Sequence, residues 1–117
     1  MAYGFNCSEK DSNVIQICVD AASYSANAKT IDVSMNYYGG SIATHTYTVT
    51  AEVWNGSAWV AKKLLTGSFS HNVNRSFTIS TLGLKSGSNS VRIKGYFTRT
   101  SSSTTTDYKT SAFIVKR

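Results

Sequence analysis

Chemistry in this chain of 117 residues would have to rest on few groups: two histidines, His45 and His71, two cysteines, Cys7 and Cys18, and six carboxylates. The sequence holds no G-x-S-x-G elbow, no H-E-x-x-H pair, no phosphate-cradling P-loop and no G-x-G-x-x-G turn. Asp32 and Glu52 fall on the polar sides of alternating segments, where a solvated carboxylate is the default, so no acid/base pair stands out. Cys7 and Cys18 with both histidines would give four metal ligands, yet no C-x-x-C or H-x-x-x-H spacing prepares them for one. Glu9-Lys10-Asp11-Ser12-Asn13 alternates oxygen ligands as a calcium loop does, but it lacks the glycine and the closing glutamate, so a polar turn is expected. The expectation is a protein that is not an enzyme and carries no metal or cofactor.

The cysteines point elsewhere. They flank the polar stretch 8–13, which can turn the chain back and bring them within bridging distance. A disulfide there would contribute roughly 2–3 kcal/mol by the chain-entropy estimate and would imply an oxidising compartment. Two small buried thiols in a reduced protein are the alternative. Ser and Thr number 32, and an outer surface solvated by hydroxyls instead of ion pairs agrees with an extracellular or virion location. No apolar run approaches the ~20 residues that span a bilayer, so no membrane span is expected. If the protein is exported, Met1-Ala2 would replace a removed leader.

Two surface features remain as candidates for binding. The first is Val53-Trp54-Asn55-Gly56-Ser57-Ala58-Trp59-Val60. Whether the loop is Gly56-Ser57 or 55–58, Trp54 and Trp59 come out opposite each other on one face of a hairpin, with Val53 and Val60 sharing the other. The apolar run Tyr47, Val49, Ala51, Val53 assigns the valine face to the core, so both indoles should look outward beside Thr50, Glu52 and Lys63. Exposed indoles stack on sugar rings or fill a partner's pocket. A cross-strand pair that only stabilises the hairpin, by about 0.2–1 kcal/mol, is the alternative. The hairpin resembles W-N-G-x-x-W-V hairpins of phage tail and bacterial surface proteins.

The second feature is charge. Twelve Lys and Arg against six Asp and Glu leave +6 and a pI near 9.5. Arg92, Lys94, Tyr96 and Thr98 form one outward set, with Arg99 just beyond, and Lys109, Lys116 and Arg117 lie on the segment expected beside it. An anionic partner is favoured, such as a wall polymer, an acidic glycan or a membrane surface. Positive charge kept for solubility is the alternative. Lys94-Gly95-Tyr96-Phe97 is similar to a fragment of the RNA-recognition-motif core, but that fold's flanking aromatics and helices are missing, so nucleic acid is not the expected ligand.

Strands must position these groups. Apolar residues make up 41% and charged ones 15%, proline is absent, and no segment of ten residues has helical periodicity. Seven strand-like segments are read at 14–20, 30–38, 44–54, 59–65, 75–82, 90–100 and 107–116, separated by Gly, Ser and Asn clusters. In 30–38, Ile31, Val33, Met35 and Tyr37 alternate with Asp32, Ser34, Asn36 and Tyr38, and Phe77, Ile79, Val91, Ile93 and Phe97 are further inward candidates. The fold expected is a single all-β domain over 1–117, an antiparallel two-sheet sandwich of about seven strands with immunoglobulin-like topology.

Leu82-Gly83-Leu84-Lys85-Ser86-Gly87-Ser88-Asn89-Ser90-Val91-Arg92-Ile93 resembles the turn-into-strand segment of fibronectin type III and bacterial immunoglobulin-like domains. The tyrosine and proline of the fibronectin type III pattern are absent near Ser90 and Ser86, which aligns the chain with the bacterial group. The resemblance implies a fold and no activity. Three sequons, at Asn6, Asn55 and Asn74, matter only in a eukaryotic secretory host. The function expected is therefore a non-enzymatic extracellular or virion-associated binding module for carbohydrate or cell-wall polymer. An assembly subunit of a phage tail, pilus or surface layer, self-associating or packed on a surface-layer partner, is the second expectation; a small secreted toxin or inhibitor is the third.

Overall fold

The computed structural model describes residues 6–8, 15–40 and 42–117. Met1-Ala2, the polar turn expected at 9–13 and Val14 lie outside them. Ten strands are present among the described residues: β1 (Asn6–Cys7), β2 (Ile15–Val19), β3 (Ser23–Tyr24), β4 (Thr30–Tyr37), β5 (His45–Trp54), β6 (Trp59–Phe69), β7 (Asn72–Thr78), β8 (Ser88–Arg99), β9 (Thr105–Lys109) and β10 (Phe113–Lys116). The one further element is a 3-10 turn at Ile79–Thr81. Two sheets result, one of order β1-β2-β4-β7 and one of order β3-β10-β8-β5-β6 with β9 beside β8. The chain is thus an all-β sandwich.

Ten strands replace the seven expected for identifiable reasons. β1 and β3 are two-residue pairings too short to carry a periodic signal. β9 and β10 are one expected segment interrupted at 110–112: β9 pairs Lys109 with Lys94, while β10 pairs Phe113 with Val91, one residue out of step. Thr110, buried between them, spans the slip. Its N–H donates to the Ile93 carbonyl at 2.9 Å and its Oγ1 accepts the Ile93 N–H at 3.1 Å. All pairings are antiparallel except β3 with β10, which run parallel through Ser23 opposite Ile114.

The two-residue period decides what fills the space between the sheets. Ile31, Val33 and Met35 of β4 face Tyr47, Val49, Ala51 and Val53 of β5 and Val91, Ile93 and Phe97 of β8, all buried in one cluster. Phe77 and Ile79 join them as expected; Tyr37 is only partly buried against it. Ile15, Ile17, Leu82, Phe113 and Val115 complete the interior. Gly95 takes an inward position of β8 because a Cβ there would stand 2.6 Å from Ile17 Cδ1 of the facing sheet. A larger residue here would have to displace Ile17 and the Phe97 ring, so the close approach of the sheets favours glycine at this site.

Cys7 and Cys18 are bonded. They sit directly opposite in the β1–β2 register, Cys18 pointing outward because its neighbours Ile17 and Val19 point in. At the other edge Tyr24 packs its ring against Phe113, centroids 5.5 Å apart, and donates its hydroxyl to Asp20 Oδ1 at 2.5 Å. Burial first, and then the Asp20 carboxylate, hold the Tyr24 hydroxyl well above the ordinary phenol range.

Two outcomes test this frame. The paired substitution Cys7→Ser with Cys18→Ser frees a loop of separation 11 and should lower stability by about 3 kcal/mol, roughly 10 °C in Tm, with the β-type circular dichroism retained. A raised phenol pKa favours the neutral form in the fold, so its contribution is complete below the unfolded value of about 10 and is lost as pH climbs beyond it. Denaturant titrations from pH 8 to 12 should show stability falling above about 10, and Tyr24→Phe should flatten that fall. An unaltered slope in the variant would contradict the assignment.

Candidate binding face of the larger sheet

β5 and β6 form the hairpin read in the sequence, and the loop is the four-residue alternative. Asn55 Oδ1 accepts the N–H groups of Ser57 and Ala58, each at 2.8 Å, Asn55 N–H donates to the Ala58 carbonyl at 3.0 Å, and Gly56 has φ 101°. Asn supplies the side-chain acceptor and Gly the left-handed backbone, which is why this pair turns the chain here. Val53 then pairs with Val60 and Trp54 with Trp59. The indoles lie outside the sandwich, Trp54 42% exposed and Trp59 half-buried, with centroids 5.5 Å apart and planes at 59°.

Register builds the rest of this face in rows across β9, β8, β5 and β6. Glu52 stands opposite Arg92, and Arg92 Nε donates to Glu52 Oε1 at 2.6 Å while its guanidinium lies 4.3 Å from the Trp59 ring centroid. One face of Trp59 is thereby covered, leaving Trp54 as the more available indole. In the next row Lys109, Lys94, Thr50 and Leu64 run across four strands. Lys94 Nζ sits 5.0 Å from the Tyr96 ring centroid, and the contact with Tyr96, aided by Glu52 and Asp107, raises its pKa, so its charge is secure at neutral pH.

Several expected members stand elsewhere. Thr50 is buried, being at mid-sheet between the longer side chains of Lys94 and Leu64. Lys63 is exposed, but an irregularity between Ala51 and Glu52 sets it across from inward-facing Ala51, out of the row that holds Trp54 and Glu52. Arg99 pairs with the buried His45 and donates from Nη2 to the Tyr37 hydroxyl at 2.7 Å, so it belongs to the lower end of the interior. Arg117 is held by the carbonyls of Ala26 and Ala28, each at 2.6 Å. Tyr96 and Lys109 are exposed as expected. Leu64, 56% exposed in the same row as Lys94, is a further apolar contact that the bulge at 62–63 concealed from simple alternation.

His45 is buried between Tyr37 and Phe69, and His71 is exposed. Both cysteines are consumed in the disulfide and offer no thiolate. Among the described residues no three His, Cys, Asp or Glu side chains converge on a metal-sized space, and no helix is long and apolar enough to cross a membrane. What the larger face can do chemically is attract and stack: two lysine ammoniums, a tyrosine and an exposed indole on one rigid sheet. No protein-family model matches the chain, and none of the curated proteins compared with it is similar enough to count as a relative.

The ion pair is expected to hold Trp59 in place. Glu52→Gln should lower stability by about 1 kcal/mol, the pair being partly open to solvent, and should shift the tryptophan emission as Arg92 loosens from Trp59. Unchanged emission and an unchanged Tm would show that Arg92 stacks without its carboxylate.

Proposed function

We propose that this chain is a non-enzymatic binding module whose larger sheet engages an anionic carbohydrate or cell-wall polymer, Trp54 stacking on a sugar ring while Lys94 and Lys109 attract the polymer's charge. The observation that carries this reading is an exposed indole on the same face as the Lys94 and Lys109 ammoniums, with Tyr96 and Leu64 exposed beside them. Charge steers a flexible polyanion toward the face, and the aromatic gives short-range hold. The arrangement of the principal strands, β2, β4 and β7 facing β10, β8, β5 and β6, supports an immunoglobulin-like topology. The Cys7–Cys18 bond favours an oxidising setting, in keeping with an extracellular or virion-associated protein.

A second reading, a subunit of a tail, pilus or surface layer, draws support from β6. It is an eleven-residue edge strand, paired on one side only among the described residues, with Leu64 exposed. Such an edge can accept a strand of another copy.

Retention on a purified anionic wall polymer tests the first reading. Trp54→Ala is expected to weaken retention at least tenfold, and Lys94→Ala with Lys109→Ala to weaken it and reduce its dependence on salt. Full retention by Trp54→Ala together with indifference to salt would contradict the proposal. A discrete, concentration-dependent oligomer in size-exclusion chromatography would favour the assembly reading in its place.

A further inference from the structure

The opposite surface of the sandwich has different chemistry. The outward side chains of β2, β4 and β7 stand in rows fixed by register: Gln16, Asn36 and Asn72 across three strands, then Cys18, Ser34 and Asn74, then Asp32 and Ser76. All of these but Asn72 floor an open concavity of about 970 Å³ that reaches Tyr38, a residue 49% exposed. That volume lies within the range of ligand-sized clefts.

Part of its hydrogen-bonding capacity is uncommitted, although Gln16 donates to the Ser8 carbonyl at 3.0 Å and accepts the Tyr38 hydroxyl at 3.5 Å. The side chains of Ser34, Asn36 and Asn74 make no hydrogen bond among the described residues. Asp32 accepts the Ser76 hydroxyl at 2.7 Å and the Thr30 hydroxyl at 3.1 Å, both at Oδ1, which orients the carboxylate. An amide both donates and accepts, and a carboxylate accepts, so this row-by-row array matches vicinal sugar hydroxyls, which need a donor and an acceptor at each step. Adjacent strands repeat at about 4.8 Å, close to the length of one pyranose along an extended chain.

Charge distinguishes the occupant. On a chain of +6, this cleft is lined by Asp20 and Asp32 and by one cation, Arg75. Arg75 is turned inward, its Nη1 donating to the Tyr47 hydroxyl at 2.6 Å and to the Thr66 carbonyl at 3.1 Å, both in the facing sheet. A polyanion would meet carboxylates with no cation to receive it, and an apolar partner would strand the amides in a dry interface.

We infer that the concave face of the smaller sheet binds a neutral, extended oligosaccharide of β-1,4-linked pyranoses, laid across β2, β4 and β7 with Tyr38 at one end. This site is separate from the cationic face and stands without it.

The test is an amide chemical-shift titration of the full chain with two probes, the hexamers of β-1,4-linked glucose and of β-1,4-linked N-acetylglucosamine. At least one should shift resonances of β2, β4 and β7 and leave β5, β6 and β8 in place. Asn36→Ala with Asn74→Ala, at positions that make no structural hydrogen bond, should weaken that binding about tenfold, and Trp54→Ala should leave it unchanged. The wild-type map decides the matter even if the double variant folds poorly. Absence of shifts with both hexamers at millimolar concentration, shifts confined to the larger sheet, or loss of binding in Trp54→Ala with retention in the asparagine variant would each overturn the inference.

Discussion

Every other feature depends on the register of β5, the strand that pairs with β6 on one side and with β8 on the other. A strand sends alternate side chains to opposite faces, so a one-residue slip would exchange its two sets completely. Tyr47, Val49, Ala51 and Val53 lie buried on one side, and the cost of exposing that stripe to water fixes the phase. With the phase fixed, Glu52 and Trp54 have no choice but the outer surface. The β8 partners follow: Arg92 opposite Glu52 and Lys94 opposite Thr50.

The same rule, applied to β4, gives the other surface an unlike character. Its outward set is Asp32, Ser34 and Asn36, with Tyr38 just beyond its end, while β8 turns Arg92, Lys94 and Tyr96 outward. Two faces of one sandwich thus differ in character: one gathers Arg92, Lys94, Lys109 and the indoles, with Glu52 and Asp107 among them, and the other presents amides and Asp32. Neither face is constrained by core packing, since each lies on the solvent side of a fully buried stripe. Their composition is free to serve binding, which is where function on a shared scaffold is written.

Much of this was legible in the residues. Strict alternation in 30–38 and 44–54 specified β4, β5 and their inward sides, and Asn55-Gly56 marked the turn that sets the indoles opposite each other. The cysteine pair was legible because a short polar stretch separates the two. Elsewhere the signal failed for physical reasons. A register irregularity leaves no mark when both neighbours are lysine, so alternation alone puts Lys63 one parity away from its actual row. Thr50 reads as exposed from alternation alone, because period says which face a residue takes and nothing of the neighbours that close over it. Arg99 continued an outward set on paper, yet at the end of β8 its guanidinium reaches Tyr37 across the interior. The split of β9 from β10 depends on the Thr110 hydroxyl replacing a backbone partner, a contact between residues 17 apart in sequence. The concave face needed the register of three strands before its rows existed at all.

The account turns on Trp54 standing in water and meeting the ligand there. Acrylamide quenching of tryptophan fluorescence in the Trp59→Phe chain, with and without anionic wall polymer, measures both at once. Emission that is readily quenched in the free protein and shielded by the polymer is the result the account predicts. An indole already shielded in the free protein, or one whose quenching the polymer leaves unchanged, would contradict it.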